Sequence, residues 1–253
     1  MSNKREMYHR LAGWYDKLTE DVDYERLADY YETQANKAEG ETEIILDLAC
    51  GTGSLTTILA KRGYQMIGVD VAADMLMVAR EKGADVLYLQ QDARTLNLYG
   101  TVDAVICSLD GLNYIPPDAL FEVFRRVFLF LNPGGIFAFD IHKPEKLMAQ
   151  DGEVFCDEGD DFLCLWRSSF DATLKACQYD FDLFEKIGHN WKRTQETHLE
   201  YAHAPEQIEK MLAEIGFCEI TQTETGQADA PTLGQGRIFI TARCRKEGTT
   251  WIN

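Results

Sequence analysis

Between residues 44 and 141, short apolar runs alternate with amphipathic stretches. The runs 44–49, 65–69, 86–90, 104–107 and 136–141 predict buried strands. The stretches 55–61, 74–81 and 119–131 predict helices, with Met75, Val78 and Ala79 on one face of the second. Gly63, Gly83 and the run Asn132-Pro133-Gly134-Gly135 stop these helices. Five strands separated by helices predict a right-handed, doubly wound parallel sheet. Ahead of them, residues 5–37 place Leu11, Trp14, Tyr15 and Leu18, then Tyr24, Leu27, Ala28 and Tyr31, at helical spacing. Asp21 or Asp23 suits the cap of the second of these helices.

After residue 148 the rhythm changes. Stretches 162–170, 174–185 and 191–203 are rich in β-branched and aromatic residues with no helical pattern between them. Gly188-His189-Asn190 fits a turn between the last two. A helix over 205–215, stopped by Gly216, and strands over 218–223 and 237–244 then resume the alternation. The expected fold is α/β, a doubly wound, mostly parallel seven-stranded sheet with a small antiparallel β insertion. Residues 1–40 form a helical cap, 41–148 and 204–246 the core, and 149–203 the insertion. The tail 247–253 is expected to fray.

Composition narrows the class. The chain has 253 residues, 45% hydrophobic and 26% charged, as expected of a soluble globular protein. It has no apolar run of the roughly 20 residues a membrane span needs. The first ten residues lack the apolar stretch of a signal peptide, so a cytoplasmic location is expected. Seven cysteines, an odd number with no C-x-x-C pair, predict neither a disulfide framework nor a metal site. The net charge of −17 argues against nucleic-acid partners.

The candidate chemistry centres on residues 46–54, Leu-Asp-Leu-Ala-Cys-Gly-Thr-Gly-Ser. An apolar strand ends in a small-residue turn and a helix starts at once, so a ligand can lie against bare backbone. A P-loop would need a lysine that this stretch lacks. A dinucleotide fingerprint matches Gly51 and Gly53 but meets Thr56 at its third glycine. S-adenosylmethionine (SAM) is the third candidate. Backbone from Ala49 to Gly53 would approach its methionine end, with Asp47 orienting the ammonium. Asp70, ending the second strand, can accept hydrogen bonds from both ribose hydroxyls, and Asp92 can accept from the adenine amino group.

These motifs resemble those of class I SAM-dependent methyltransferases, whose fold is Rossmann-like. The resemblance covers Asp47-Leu-Ala-Cys-Gly51-Thr-Gly53, Gly68-Val-Asp70-Val-Ala-Ala-Asp-Met75, Gln91-Asp92-Ala93, the stretch from Asp103 through Ser108 to Tyr114, and Leu131-Asn-Pro-Gly-Gly135. Many members carry glycine where this chain has Ala49. The resemblance implies SAM as cofactor, S-adenosylhomocysteine as product, and Val71, Met75, Ala93, Ser108 and Leu109 along the cofactor. The front segment resembles small bacterial members that open with a Tyr-Asp motif, here Tyr15-Asp16. By that likeness Tyr8 and Tyr15 touch the methionine end; core packing is the alternative.

Methyl transfer from a sulfonium is an in-line displacement, so alignment matters more than a catalytic triad. A base is needed only where the nucleophile must first lose a proton. His142, after the fifth strand, is the candidate base, or a structural histidine. Asn113 and Tyr114, after the fourth strand, are candidates to hold the acceptor, with Tyr114 also a catalytic candidate. His189 and Trp191 are weaker candidates in the insertion. Residues 151–190 carry ten acidic and three basic side chains, which favours a neutral or cationic small-molecule acceptor. RNA methylation, or SAM binding without catalysis, are the alternatives. No membrane partner is expected, and the oligomeric state is open.

Overall fold

The computed structural model describes residues 11–227, 230, 231 and 233–246. Its first sheet has seven strands: β1 (Ile44–Leu48), β2 (Gln65–Asp70), β3 (Val86–Gln90), β4 (Val102–Cys107), β5 (Leu131–His142), β10 (Phe217–Glu224) and β11 (Arg237–Cys244). Their order is β10-β11-β5-β4-β1-β2-β3. The pairs among β1 to β5 are parallel; β11 lies antiparallel between β5 and β10. The order reverses between β1 and β4, so a crevice opens above the carboxyl ends of those two strands, where α/β sheets bind ligands.

Helices cover both faces. On one lie α1 (Ala12–Leu18), α2 (Tyr24–Ala35), α3 (Ser54–Lys61) and α4 (Ala73–Glu81), with α2 against β4 and β5, α3 and α4 against β2 and β3, and α1 against α4. α5 (Pro117–Phe130) and α7 (Pro205–Ile215) pack against each other in a core with β4, β5 and β11. α5 shows why the pattern was readable. Leu120, Val123, Phe124 and Val127 recur at helical spacing and are all buried, and Pro117 opens the helix where its missing N–H costs nothing. Asp23 caps α2 by accepting from the Arg26 N–H at 3.0 Å.

The insertion is a second, antiparallel sheet of β6 (Val154–Glu158), β7 (Phe162–Asp171), β8 (Ala176–Ile187) and β9 (Asn190–Tyr201), in that order. Its apolar face takes Leu11 from the segment before α1, and Leu147 from α6 (Pro144–Ala149). Trp14 stacks on Phe162 with ring centroids 4.9 Å apart and donates to Glu185 at 2.8 Å. Among the described residues no helix is long and apolar enough to cross a membrane.

Three details depart from the sequence reading. α6 and β6 were not anticipated: α6 has only 6 residues, and all five β6 residues are exposed, so neither leaves a clear hydrophobic period. Asn132-Pro133-Gly134-Gly135 does not separate α5 from the fifth strand but lies inside β5, whose register against β4 shifts there. Space explains the glycine: a Cβ on Gly135 would lie 2.8 Å from the Asp103 carbonyl oxygen and 2.9 Å from that of Asn132. Gly135→Ala should therefore destabilise the protein by about 1–3 kcal/mol, the usual cost of forcing extra atoms into a packed site. Chemical denaturation checks this, with Gly100→Ala, whose Cβ meets open space and whose φ is likewise not left-handed, as the comparison for backbone effects alone.

Candidate active site

The strand β1 delivers the chain into a turn that bends on three left-handed residues. Ala49 has φ 59°, Gly51 φ 54° and Gly53 φ 68°. A side chain is rarely held in that region, and Ala49 is the position where the methyltransferase pattern usually has glycine. The turn is tied down from the next strand. Asp70 accepts from the Gly51 N–H at 2.9 Å and from the Ala72 N–H at 2.8 Å. Each of its oxygens keeps a second lone pair for a ligand hydroxyl. Burial raises its pKa although these backbone hydrogen bonds pull the other way. Asp70 is not the cap of α4, a place held by Ala72.

Asp47 lies beneath the turn rather than on a wall. It is 1% exposed, and one oxygen accepts from the Thr56 hydroxyl at 2.5 Å. Its other oxygen, Oδ1, has no protein partner. Burial pushes its pKa up to about 7, with the Thr56 bond opposing and the Asp70 charge assisting. Thr56, at the third position of the failed dinucleotide pattern, is thus the residue that satisfies Asp47.

Above the turn is a cavity of about 740 Å³. Tyr15, Ala49, Gly51, Asp70, Val71 and Met75 line one part of it, and Asp92, Ala93, Ser108 and Leu109 continue the same wall. Tyr114, Ile115 and Pro116 close another side, and Gln178, Gln195, Thr197, Leu199 and Tyr201 of the insertion face it. The sequence reading thus names most of one wall. Asp92 accepts from the Arg94 backbone N–H and from its guanidinium, with Nε at 2.8 and 3.0 Å. Gly53 sits below the wall, where a Cβ would lie 2.5 Å from the Tyr88 hydroxyl. Tyr8 lies outside the described residues.

Four expected acceptor contacts are elsewhere. Asn113 is fully buried: its Nδ2 donates to the Tyr201 carbonyl at 2.9 Å and its Oδ1 accepts from the His142 N–H at 3.0 Å. With both amide ends on backbone, Asn113 locks β9 and β5 together. His142 is buried, not at the sheet's open edge. Desolvation holds its pKa well below the usual value, and the Arg237 and Lys146 charges add to this. Its Nε2 lies 2.7 Å from Arg237 Nη2 and 3.2 Å from Lys146 Nζ. Nε2 also lies 3.2 Å from Asp110 Oδ1, but two donors, one of them the guanidinium at 2.7 Å, face it against that one acceptor, so the neutral ring accepts at Nε2 and carries its proton on Nδ1. His189 is at the exposed turn and Trp191 is 52% exposed, and neither lines the cavity.

The residues around His142 escaped the sequence reading. Asp140 accepts from the Tyr31 hydroxyl at 2.6 Å, from the Leu109 and Asp110 N–H groups at 2.9 and 3.0 Å, and from Arg237. Asp110 and Glu200 complete the cluster. The only available signal was Asp140 itself, a charge inside an otherwise apolar strand. Among the described residues, Asp110, His142 and Glu200 bring donor atoms within 4.8 Å of one another, a spacing a cation could bridge. That cation is Arg237, whose Nη2 is 2.7 Å from both Asp110 Oδ1 and His142 Nε2. The guanidinium fills the place a metal would take.

Comparison with known proteins agrees with this geometry. A family model described as a methyltransferase domain matches residues 45–135. The chain is 31% identical over 252 residues to YqeM of Bacillus subtilis (strain 168), a methyltransferase by name, covering 95% of this chain and 98% of YqeM. A SAM-dependent methyltransferase from Clostridium acetobutylicum superposes with a TM-score of 0.82 at 29% identity, covering 94% of this chain and 99% of that one. An amino pentose methyltransferase from Micromonospora echinaspora, solved with SAM bound, superposes with a TM-score of 0.70, covering 88% and 90%; at 21% identity it shows the fold alone. The chain belongs to the class I SAM-dependent methyltransferases. It is an enzyme of that class, and SAM is its cofactor.

The residues present fit that cofactor. The orphaned Asp47 oxygen lies under the turn, Asp70 keeps lone pairs toward the cavity wall, and a Cβ on Gly51 would meet nothing within 4 Å, leaving bare backbone for close approach. Asp70→Ala should abolish measurable SAM binding by calorimetry; unchanged affinity would remove Asp70 from the ribose site. Asp47 gives a prediction for the unliganded protein. Its folded pKa of about 7 exceeds the roughly 3.9 of an unfolded aspartate. The folded state therefore holds the proton more tightly, and this contribution to stability is present below about pH 4 and lost as pH rises through 7. Asp47→Asn keeps a carbonyl for Thr56. It should raise the melting temperature at pH 8, with the gain vanishing near pH 4.

Proposed function

We propose that the enzyme methylates a small, neutral or cationic molecule. The observation that carries this reading is the insertion side of the cavity. It presents Gln178, Gln195, Thr197 and Tyr201, side chains that hydrogen-bond without adding positive charge. Among the described residues, the one basic side chain on the wall is Arg94, which is paired with Asp92. A nucleic-acid backbone needs lysine or arginine for its phosphates, and a net charge of −17 repels it at longer range. The cavity volume, about 740 Å³, is within the range of sites that enclose small molecules.

SAM supplies the methyl group, and the chain supplies alignment. The turn at Gly51 and the Asp70 carboxylate hold one end of the cavity, and Tyr114 with the β9 side chains shapes the other. The test uses SAM carrying a CD3 group, incubated with the enzyme and either a metabolite extract or total RNA. The label should enter the metabolite fraction and not the RNA. Label in RNA, with binding that weakens steeply as salt rises, would overturn the proposal.

A further inference from the structure

Behind the cavity lies a buried group of acids and bases that methyl alignment does not require. Tyr114 lines the cavity, and its hydroxyl donates to Glu200 Oε1 at 3.3 Å. Glu200 is 6% exposed and does not line the cavity. Its other oxygen, Oε2, has no hydrogen-bond partner, and neither has His142 Nδ1. These two buried atoms face each other at 3.6 Å. Since His142 accepts at Nε2, its Nδ1 proton points at Glu200. The cluster holds three carboxyls, Asp110, Asp140 and Glu200, against two cations, Arg237 and Lys146. With His142 neutral, one carboxyl is in excess, and Asp140 is the most heavily compensated by donors.

We infer that Tyr114 is a catalytic residue, that Glu200 and His142 are its positioning residues, and that the acceptor is an amine that arrives protonated. This rests on the small-molecule reading above. The ammonium N–H gives its proton to the Tyr114 oxygen while the phenolic proton passes to Glu200 Oε1. The nitrogen lone pair is thereby freed and the carboxylate becomes a carboxylic acid. The nitrogen then forms the bond to the methyl carbon as the carbon–sulfur bond of SAM breaks, leaving a methylammonium product and S-adenosylhomocysteine. The His142 Nδ1–H dipole, 3.6 Å from Glu200 Oε2, attracts that oxygen without hydrogen-bonding to it and so favours Oε1 toward Tyr114.

The surroundings of Glu200 suit this task. Burial first and the Asp110 charge second raise its pKa, Arg237, Lys146 and the Tyr114 hydrogen bond pull it down, and the balance stands at about 8. Tyr179 and Cys177 feel the Glu200 charge from β8, and both are themselves held protonated by burial. A base works best when its pKa is near the working pH and near that of the group it deprotonates. An ammonium meets that condition and an alcohol does not.

Two measurements test the inference. In the first, enzyme labelled with 13C at glutamate carboxyls is titrated in complex with S-adenosylhomocysteine. One resonance, missing in Glu200→Gln, should titrate near pH 8 and move in Tyr114→Phe. A Glu200 carboxyl already ionised by pH 5, or one unmoved by Tyr114→Phe, overturns the relay. In the second, CD3-labelled SAM is offered with paired amines and alcohols: ethanolamine with ethylene glycol, and glucosamine with glucose. Transfer to the amines alone is expected, with a rate that rises through about pH 8. Tyr114→Phe should lower kcat by about 100-fold or more, the usual worth of a positioned base, with SAM affinity unchanged. Glu200→Gln should remove the pH limb. Transfer to an alcohol, absence of transfer to any amine, or a limb that survives in Glu200→Gln overturns it. The two readings fail separately. Label in RNA strikes the small-molecule acceptor, while a small molecule methylated at undiminished rate by Tyr114→Phe strikes the relay alone.

Discussion

The carboxylate of Asp140 is the interaction on which the site depends. It is fully buried in the middle of the sheet, where an ion is stable only if its lone pairs are satisfied. Four donors do this: Tyr31 from α2, Arg237 from β11, and the consecutive N–H groups of Leu109 and Asp110. Those last two residues both sit in the left-handed region, at φ 53° and 57°. Such a conformation costs on the order of 1–2 kcal/mol per residue without glycine. The carboxylate offsets that cost by gathering both amides. The loop after β4 is thus held in a shape its own sequence does not favour, and Ser108, Leu109 and Gly111 on that loop line the cavity.

A second set of contacts joins the two sheets across the same cavity. Asp16 in α1 bonds Lys82, the residue that ends α4, at 2.7 Å and Ser54 of α3 at 3.2 Å. Two residues earlier, Trp14 is anchored on the insertion through Phe162 and Glu185. One short helix therefore fastens the turn at Gly51 to the sheet that closes the other side of the cavity. Tyr15, between these anchors, lines the cavity. Asn113 fastens the opposite side through β9 and β5.

What could be read in advance follows from the range of the interactions. The strands and helices of the core announce themselves because each must bury a face, and burial imposes a period on neighbouring residues. The turn from Ala49 to Gly53 and Asp70 were legible because a strand end, a tight turn and a carboxylate on the next strand form a local pattern. The Asp140 cluster was not. Its members, at positions 110, 140, 142, 200 and 237, come together only when β4, β5, β9 and β11 do, and no spacing records that. The burial of Asn113 and His142 has a related cause. Both follow strands, and the insertion and α6 fold over that end of the sheet, which leaves His142 the structural histidine of its two readings.

The strand β9 divides its residues by parity. Positions 195, 197, 199 and 201 line the cavity, while Thr194, His198 and Glu200 are buried on the other face; Glu196, half-buried, reaches the cavity wall as well. Gln178, opposite Leu199 on β8, belongs to the outward set. The buried set holds the fold and the outward set shapes the cavity. Substitution can therefore run along alternate positions of one strand without disturbing the packing beneath. A lineage carrying this scaffold is free to reshape the cavity by exchanging a handful of side chains on one face of β8 and β9.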